Sequence, residues 1–188
     1  MTTVDILRTL VAFDTTSHRS NLELIHWVAD YLAAHRAKVQ LVHSEDKRKA
    51  TLLATIGPDT AGGMVLSGHS DVVPVTDQNW SANPFTLVER DGRFHGRGAA
   101  DMKGFIAACL SAVPSWQQRA LSRPIHLAFS YDEEIGCLGV PRLVNRLKTQ
   151  VEAPALAIIG EPTEMRIGVR HRGFFGHRAL FSGLPAHS

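Results

Sequence analysis

Six side chains carry the chemistry legible in this sequence: His69, Asp71, Asp101, Glu133, Glu134 and Glu161. Taken one at a time each has an ordinary reading. An aspartate after Gly-His is a solvated turn, Asp101 is a helix N-cap, paired glutamates open a helix, and Glu161 before Pro162 is an exposed turn. Together they pose a physical problem. Several carboxylates in one cleft repel each other unless a cation neutralises them. Imidazole nitrogen and carboxylate oxygen are suitable donors for Zn²⁺ and other divalent transition metals. His69-Ser70-Asp71 suits a histidine ligand whose ring is oriented by a carboxylate two residues on. Glu133-Glu134 suits a pair in which one member binds a metal and its neighbour serves as general base. Neither Cys109 nor Cys137 falls within the set, which disfavours a purely structural zinc site.

The elements that must bring these residues together are visible in the hydrophobic pattern. Met64–Ser67, Ile125–Ser130 and Leu156–Ile159 are short apolar runs that predict buried strands. Each runs out into one of the acidic turns: His69/Asp71, Glu133/Glu134 and Glu161. In an open α/β sheet the carboxyl ends of parallel strands share one edge, so residues distant in sequence can converge there. Between the strands lie helical patterns. One covers Val4–Phe13, and a second covers Ser20–Arg36, with Ser20 and Glu23 at capping-box spacing. A third carries Phe105, Ile106, Cys109, Leu110 and Val113 behind Asp101, and a fourth covers Val140–Leu147. Strands at Val39–Val42 and Thr51–Ile56 precede the site. A hairpin, Phe85–Glu89 with Arg93–His95, turns at Asp91-Gly92. The alternation predicts an α/β fold: a mixed, partly parallel sheet flanked by helices. After Met165 the pattern changes to β-like stretches, Ile167–His171 and Phe174–Phe181, which read as the opening of a second domain.

Composition narrows the function classes. The 188 residues hold 20 Lys plus Arg against 18 Asp plus Glu, a net charge of +2, so no basic field argues for nucleic acid. No apolar run approaches the ~18 residues needed to cross a bilayer, and no basic segment followed by an apolar one opens the chain. Two cysteines make no disulfide framework and read as buried, reduced thiols of a cytoplasmic protein. His95, His126, His171 and His177 read as structural or surface residues, and Lys103 as a solubilising helix residue or local ion-pair partner. No phosphate loop and no Gly-x-Ser-x-Gly elbow is present.

Four runs resemble, in order, the metal motifs of the M20 family of zinc amidohydrolases and peptidases. They are Gly68-His69-Ser70-Asp71-Val72-Val73-Pro74, Gly96-Arg97-Gly98-Ala99-Ala100-Asp101-Met102-Lys103-Gly104, Asp132-Glu133-Glu134-Ile135-Gly136 and Gly160-Glu161-Pro162-Thr163. Trp80–Asn83 with Pro84-Phe85, and the run Gly160–Thr163, are similar to the acetylornithine deacetylase branch. The resemblance implies a zinc-peptidase-like catalytic domain over residues 1–170 and the start of an α+β lid and dimerisation domain over 171–188. It implies two Zn²⁺ ions, or Co²⁺, per active site. Asp101 would bridge them, His69 and Glu161 would complete one, and Glu134 would hold the other. Glu133 would be the general acid/base, Asp71 would orient His69, and the peptide after Asp101 would be cis. His187, in Ser182-Gly183-Leu184-Pro185-Ala186-His187-Ser188, resembles the lid histidine that reaches an oxyanion across a dimer.

The implied activity is hydrolysis of the N-acyl amide of an amino acid, foremost N-acetylornithine in arginine biosynthesis. The implied partners are a small N-acyl amino acid and a second copy of the chain, with no nucleic acid and no membrane. A desuccinylase, an aminoacylase or a carboxypeptidase of the same family shares all four motifs. The histidine expected on the second metal comes late in longer relatives and is not in this sequence. The chain therefore reads as the N-terminal part of an enzyme, with a non-catalytic remnant as the rival.

Overall fold

The computed structural model describes residues 1–170, 172–173 and 176–183. Helix α1 (Thr3–Ala12) opens the chain on a reciprocal cap. The Thr2 hydroxyl accepts from the Asp5 amide, and the Asp5 carboxylate accepts from the Thr2 amide. Helix α2 (Leu22–Ala34) starts two residues later than its pattern predicts. The expected Ser20–Glu23 box does not form, because Ser20 Oγ donates to the Arg48 carbonyl and accepts from the Leu22 amide. Asn21 takes the N-cap position, yet its side chain turns inward to pair with both the amide and the carbonyl of Ala50.

Strands β1 (Lys38–His43), β2 (Ala50–Ile56), β3 (Met64–His69), β6 (Ile125–Ser130) and β7 (Leu156–Ile159) form one sheet in the order β1-β2-β6-β3-β7. The pairs β1/β2 and β2/β6 are antiparallel, while β3 runs parallel to both β6 and β7. The expected mixed, partly parallel sheet is the one observed. A separate hairpin joins β4 (Val88–Arg90) to β5 (Arg93–His95), with Asp91 and Gly92 both at positive φ (54° and 69°), as a primed two-residue turn requires.

The two faces of the sheet are covered unequally. Helices α1, α2 and α3 (Lys103–Gln117) bury the main core, in which Ile6, Leu10, Ile25, Leu32, Ile106 and Leu110 meet Leu52, Leu127 and Phe129. The opposite face carries α4 (Val140–Gln150), where Leu143 packs on Leu53, Val65 and Ala128. That alternation, odd residues of β6 to one side and even to the other, is the strand period of two. No helix among the described residues is long and apolar enough to cross a membrane.

Three sequence expectations change here. Lys103 is fully buried rather than on the helix surface. Its ammonium donates to the Phe13 carbonyl at 2.7 Å, and burial, opposed by the charge of Asp14, pushes its pKa down to about 7. Cys109 is buried as expected, but Cys137 is exposed, because it sits in the turn after Glu134 at φ 58°. Beyond Met165, the described residues of the two β-like stretches carry no strand and are exposed, since no neighbouring strand pairs with them. His171 lies outside the described residues.

Candidate metal centre

Register assembles the centre. His69 is the last residue of β3 and lies opposite Ser130, the last residue of β6, so the Asp132–Glu134 turn leaves the sheet beside it. On the other side Ser67 pairs with Ile159, which sets Glu161 level with His69 two residues on. Glycine matters at one point in this arrangement. A Cβ on Gly160 would stand 2.1 Å from the Phe105 ring, so only glycine lets the chain pass Phe105 on its way to Glu161. Asp101 enters from the loop ahead of α3. Met102, not Asp101, holds the N-cap position, with no side-chain cap bond. The Asp101–Met102 peptide is cis, as the family resemblance implies.

The His69 ring is the centre of the cluster. Its Nε2 lies 2.9 Å from Asp101 Oδ1, 3.9 Å from Glu133 Oε2 and 4.0 Å from Glu161 Oε1. Glu134 joins His69 and Asp101 within one ligand-sized group, and Glu133 joins His69 and Glu161 in another; the donor atoms of each group lie within 4.8 Å of one another. His69 is thus common to both groups, with Glu133 in one and Glu134 in the other. Donors bonded at ~2.0–2.2 Å in tetrahedral array stand roughly 3.3 Å apart, so this spacing fits a divalent ion. The set is one imidazole and four carboxylates with no thiolate, a hard-to-borderline donor set.

Behind the ring, Asp71 is buried to the same degree as His69, both side chains being 2% exposed. His69 Nδ1 faces the Asp71 carbonyl at 2.9 Å and its carboxylate at 3.4 Å. Asp71 also accepts from the Ser17 hydroxyl at 2.7 Å and from the backbone amides of Glu133 and Glu134 at 3.0 and 3.3 Å. Asp71 therefore holds the ligand ring with one part of its surroundings and the acidic turn with another.

The electrostatics follow from crowding. Burial on its own would lower the His69 pKa, but the bond to Asp71 and the charges of Asp71, Asp101 and Glu161 overcome it and push the imidazole up to about 9. Burial would raise Asp71, yet its bonds from His69, Ser17 and the Glu133 amide hold it below the usual carboxylate range. Glu134 and Glu161 are raised, first by burial and then by the neighbouring carboxylates, Asp101 among them. Crowding thus favours a protonated imidazole and resists ionisation of Glu134 and Glu161, the behaviour expected of a cluster that a cation could neutralise.

All six sequence-singled residues named for metal or proton chemistry converge here. His187 lies outside the described residues. Sequence reading missed Ser17 and Lys49, and gave Asp132, quoted in the third motif, no role of its own. Thr15-Thr16-Ser17 reads as a polar turn, and Lys49 sits in a run of charges, so neither shows a signal without the fold.

Comparison with known proteins agrees on the fold. Residues 65–172 match the family described as Peptidase family M20/M25/M40. An acetylornithine deacetylase of Pasteurella multocida (strain Pm70) is 35% identical over 181 residues, covering 96% of this chain and 46% of the relative. Human carnosine dipeptidase 1 superposes with a TM-score of 0.74 at 27% identity, over 84% of this chain and 38% of that one. An M20 family metallo-carboxypeptidase, Sso-CP2 from Sulfolobus solfataricus, gives a TM-score of 0.73 at 20% identity, over 84% of this chain and 37% of its own. The chain spans less than half the length of each of these relatives.

Proposed function

For a chain that belongs to peptidase family M20/M25/M40, we propose metal-dependent hydrolysis of the N-acyl amide of an amino acid, with N-acetylornithine as the first substrate to test. The observation that carries the reading is the placement of four carboxylates, Asp101, Glu133, Glu134 and Glu161, around the Nε2 edge of a buried histidine. The 35% identity to an acetylornithine deacetylase supports the choice of substrate.

In this reading His69, Asp101, Glu134 and Glu161 would hold zinc or cobalt. The metal, when bound, polarises the scissile carbonyl and lowers the pKa of water. The chain's own residues do the rest. Glu133 takes a proton from the attacking water at its carboxylate. The C–N bond breaks as that proton passes to the departing amine nitrogen, leaving acetate and ornithine, a step of arginine biosynthesis. Asp71 fixes the His69 ring and, through two backbone amides, the position of Glu133. Residues 1–170 form the catalytic unit in this proposal. Residues 171–188 begin a lid, whose His187 would meet the oxyanion across a homodimer in the cytoplasm.

A second reading has its own support. The likeness to human carnosine dipeptidase 1 favours a dipeptide as substrate. The deciding experiment is a hydrolysis panel on the purified, metal-loaded protein: N-acetylornithine, N-succinyl-diaminopimelate and a set of dipeptides. Metal content is measured alongside. Preferential release of acetate, lost at least a hundredfold in Glu133→Ala with metal content kept, supports the deacetylase. Turnover confined to dipeptides transfers the chain to the second reading. Full turnover in Glu133→Ala overturns the role of Glu133, and absence of bound metal overturns the centre.

A further inference from the structure

We infer that Ser17, backed by Lys49, is a positioning residue for the centre: its hydroxyl sets the orientation of the Asp71 carboxylate and so places the His69 ring and the Glu133–Glu134 turn together. The inference rests on the reading of this cluster as a metal centre, and neither residue is a metal donor.

The argument begins with the two oxygens of Asp71. Oδ1 faces His69 Nδ1 at 3.4 Å and accepts from the Glu133 amide at 3.0 Å. Oδ2 accepts from Ser17 Oγ at 2.7 Å and from the Glu134 amide at 3.3 Å. The terminal torsion of an aspartate is broad, so a carboxylate turns easily unless both oxygens are tied. Without Ser17, Oδ2 keeps only its longest bond. The short Ser17 bond is charge-assisted and lies where the hydroxyl and the carboxylate are both buried, which is where such a bond holds geometry best.

Ser17 is itself held by backbone. Its amide donates to the Val72 carbonyl at 3.1 Å, and the Val72 amide donates to the Thr15 carbonyl at 3.1 Å. Thr15 Oγ1 donates to the Ser70 carbonyl at 2.6 Å. Residues 15–17 therefore run as a strap along the loop that carries His69 and Asp71. Lys49 closes the arrangement from the other side. Its ammonium donates to both the Ser17 carbonyl and the Asp132 carboxylate. Asp132 directly precedes Glu133 and stands at φ 55°. One short strap and one lysine thus join the loop after β3 to the turn after β6.

The test reads the metal-free and the metal-bound protein separately. In the metal-free chain, Ser17→Ala is expected to speed hydrogen exchange of the Glu133 and Glu134 amides about tenfold while the Leu127 and Phe129 amides of β6 stay unchanged. Ser17→Thr, which keeps the hydroxyl, restores the slow exchange, and Lys49→Met loosens the same two amides by a smaller factor. On titration with Co²⁺, Ser17→Ala is expected to bind about tenfold more weakly, the lower end for residues that orient metal ligands. Unchanged exchange at Glu133 and Glu134 in Ser17→Ala overturns the inference, as does acceleration shared equally with β6. If the two amides respond and the wild-type chain binds no Co²⁺, the positioning role stands and the metal reading falls.

Discussion

The candidate centre has two halves built on opposite principles. The inner half, His69 and Asp71, is 2% exposed and tied by hydrogen bonds at the ring and at both carboxylate oxygens. The outer half is a rim of acids: Asp101 is 48% exposed, Glu133 36% and Glu161 37%. The inner half needs no ion to hold its shape, because each polar atom already has a protein partner. The rim carboxylates meet the His69 ring, Glu133 also meets the Cys137 thiol, and otherwise they face one another. One half is a fixed anchor, and in the proposed reading the other supplies donors to a cation.

The difference between the halves can be broken most severely at the ring. His69→Ala is expected to abolish stoichiometric binding of Zn²⁺ or Co²⁺, a loss of at least about a hundredfold in affinity, since it removes the donor common to both groups. Metal analysis after gel filtration reads this directly, and retained stoichiometry would remove His69 from the centre.

Asp71→Asn comes next. It keeps the shape and removes the charge that two amides and a hydroxyl address. The metal-free chain is expected to lose about 2 kcal/mol of stability in urea, the scale of hydrogen bonds to a charged group. Metal affinity should fall by about 10–100-fold as the ring loosens. An Asp71→Asn chain as stable as the parent would mean that the anchor is not tied as described.

The third test is pH. The His69 pKa is raised from 6.5 to about 9 in the metal-free protein. Its contribution to stability is therefore complete below pH 6.5 and is lost as pH rises through 9. Metal binding must displace that proton, so affinity should climb about tenfold per pH unit between pH 6.5 and 8, with about one proton released per ion. Calorimetry in buffers of different ionisation enthalpy counts the proton, and a flat affinity profile would contradict the linkage.

The smallest effect belongs to the rim. Glu161 and Glu134 have raised pKa values, so the folded chain holds their protons better than the unfolded one does. That stability is present below the ordinary glutamate pKa and fades as pH rises through the folded value. Glu161→Gln should leave the metal-free melting temperature at pH 7 unchanged or slightly higher, while metal affinity drops about tenfold. A melting temperature lowered as far as in Asp71→Asn would erase the distinction between anchor and rim.

Much of this was legible in the sequence. The strands ending at His69, Ser130 and Ile159 follow from short apolar runs, and the parallel arrangement follows from the helices between them. The errors fall where a residue had a near partner and a distant one. Ser20 was read as a capping-box residue and donates to the Arg48 carbonyl; of the two readings of Asp101, cap and ligand, the cap fails because Met102 takes that position while the Asp101 carboxylate meets His69 at 2.9 Å. Lys103, read as a surface cation, is buried beneath the Phe13 carbonyl. Competition between a near partner and a distant one is settled by packing, which pattern alone does not contain.

The sequence by itself determined the donor types, their order along the chain and the glycine at position 160 that lets Glu161 through, because residue chemistry and strand period are local properties. Only the tertiary structure decided which oxygen of Asp71 meets Ser17, that Lys49 spans two loops, and that Glu133 and Glu134 fall in separate donor groups around His69. Those are matters of register and of burial between segments 32 or more residues apart, and no local interaction specifies them.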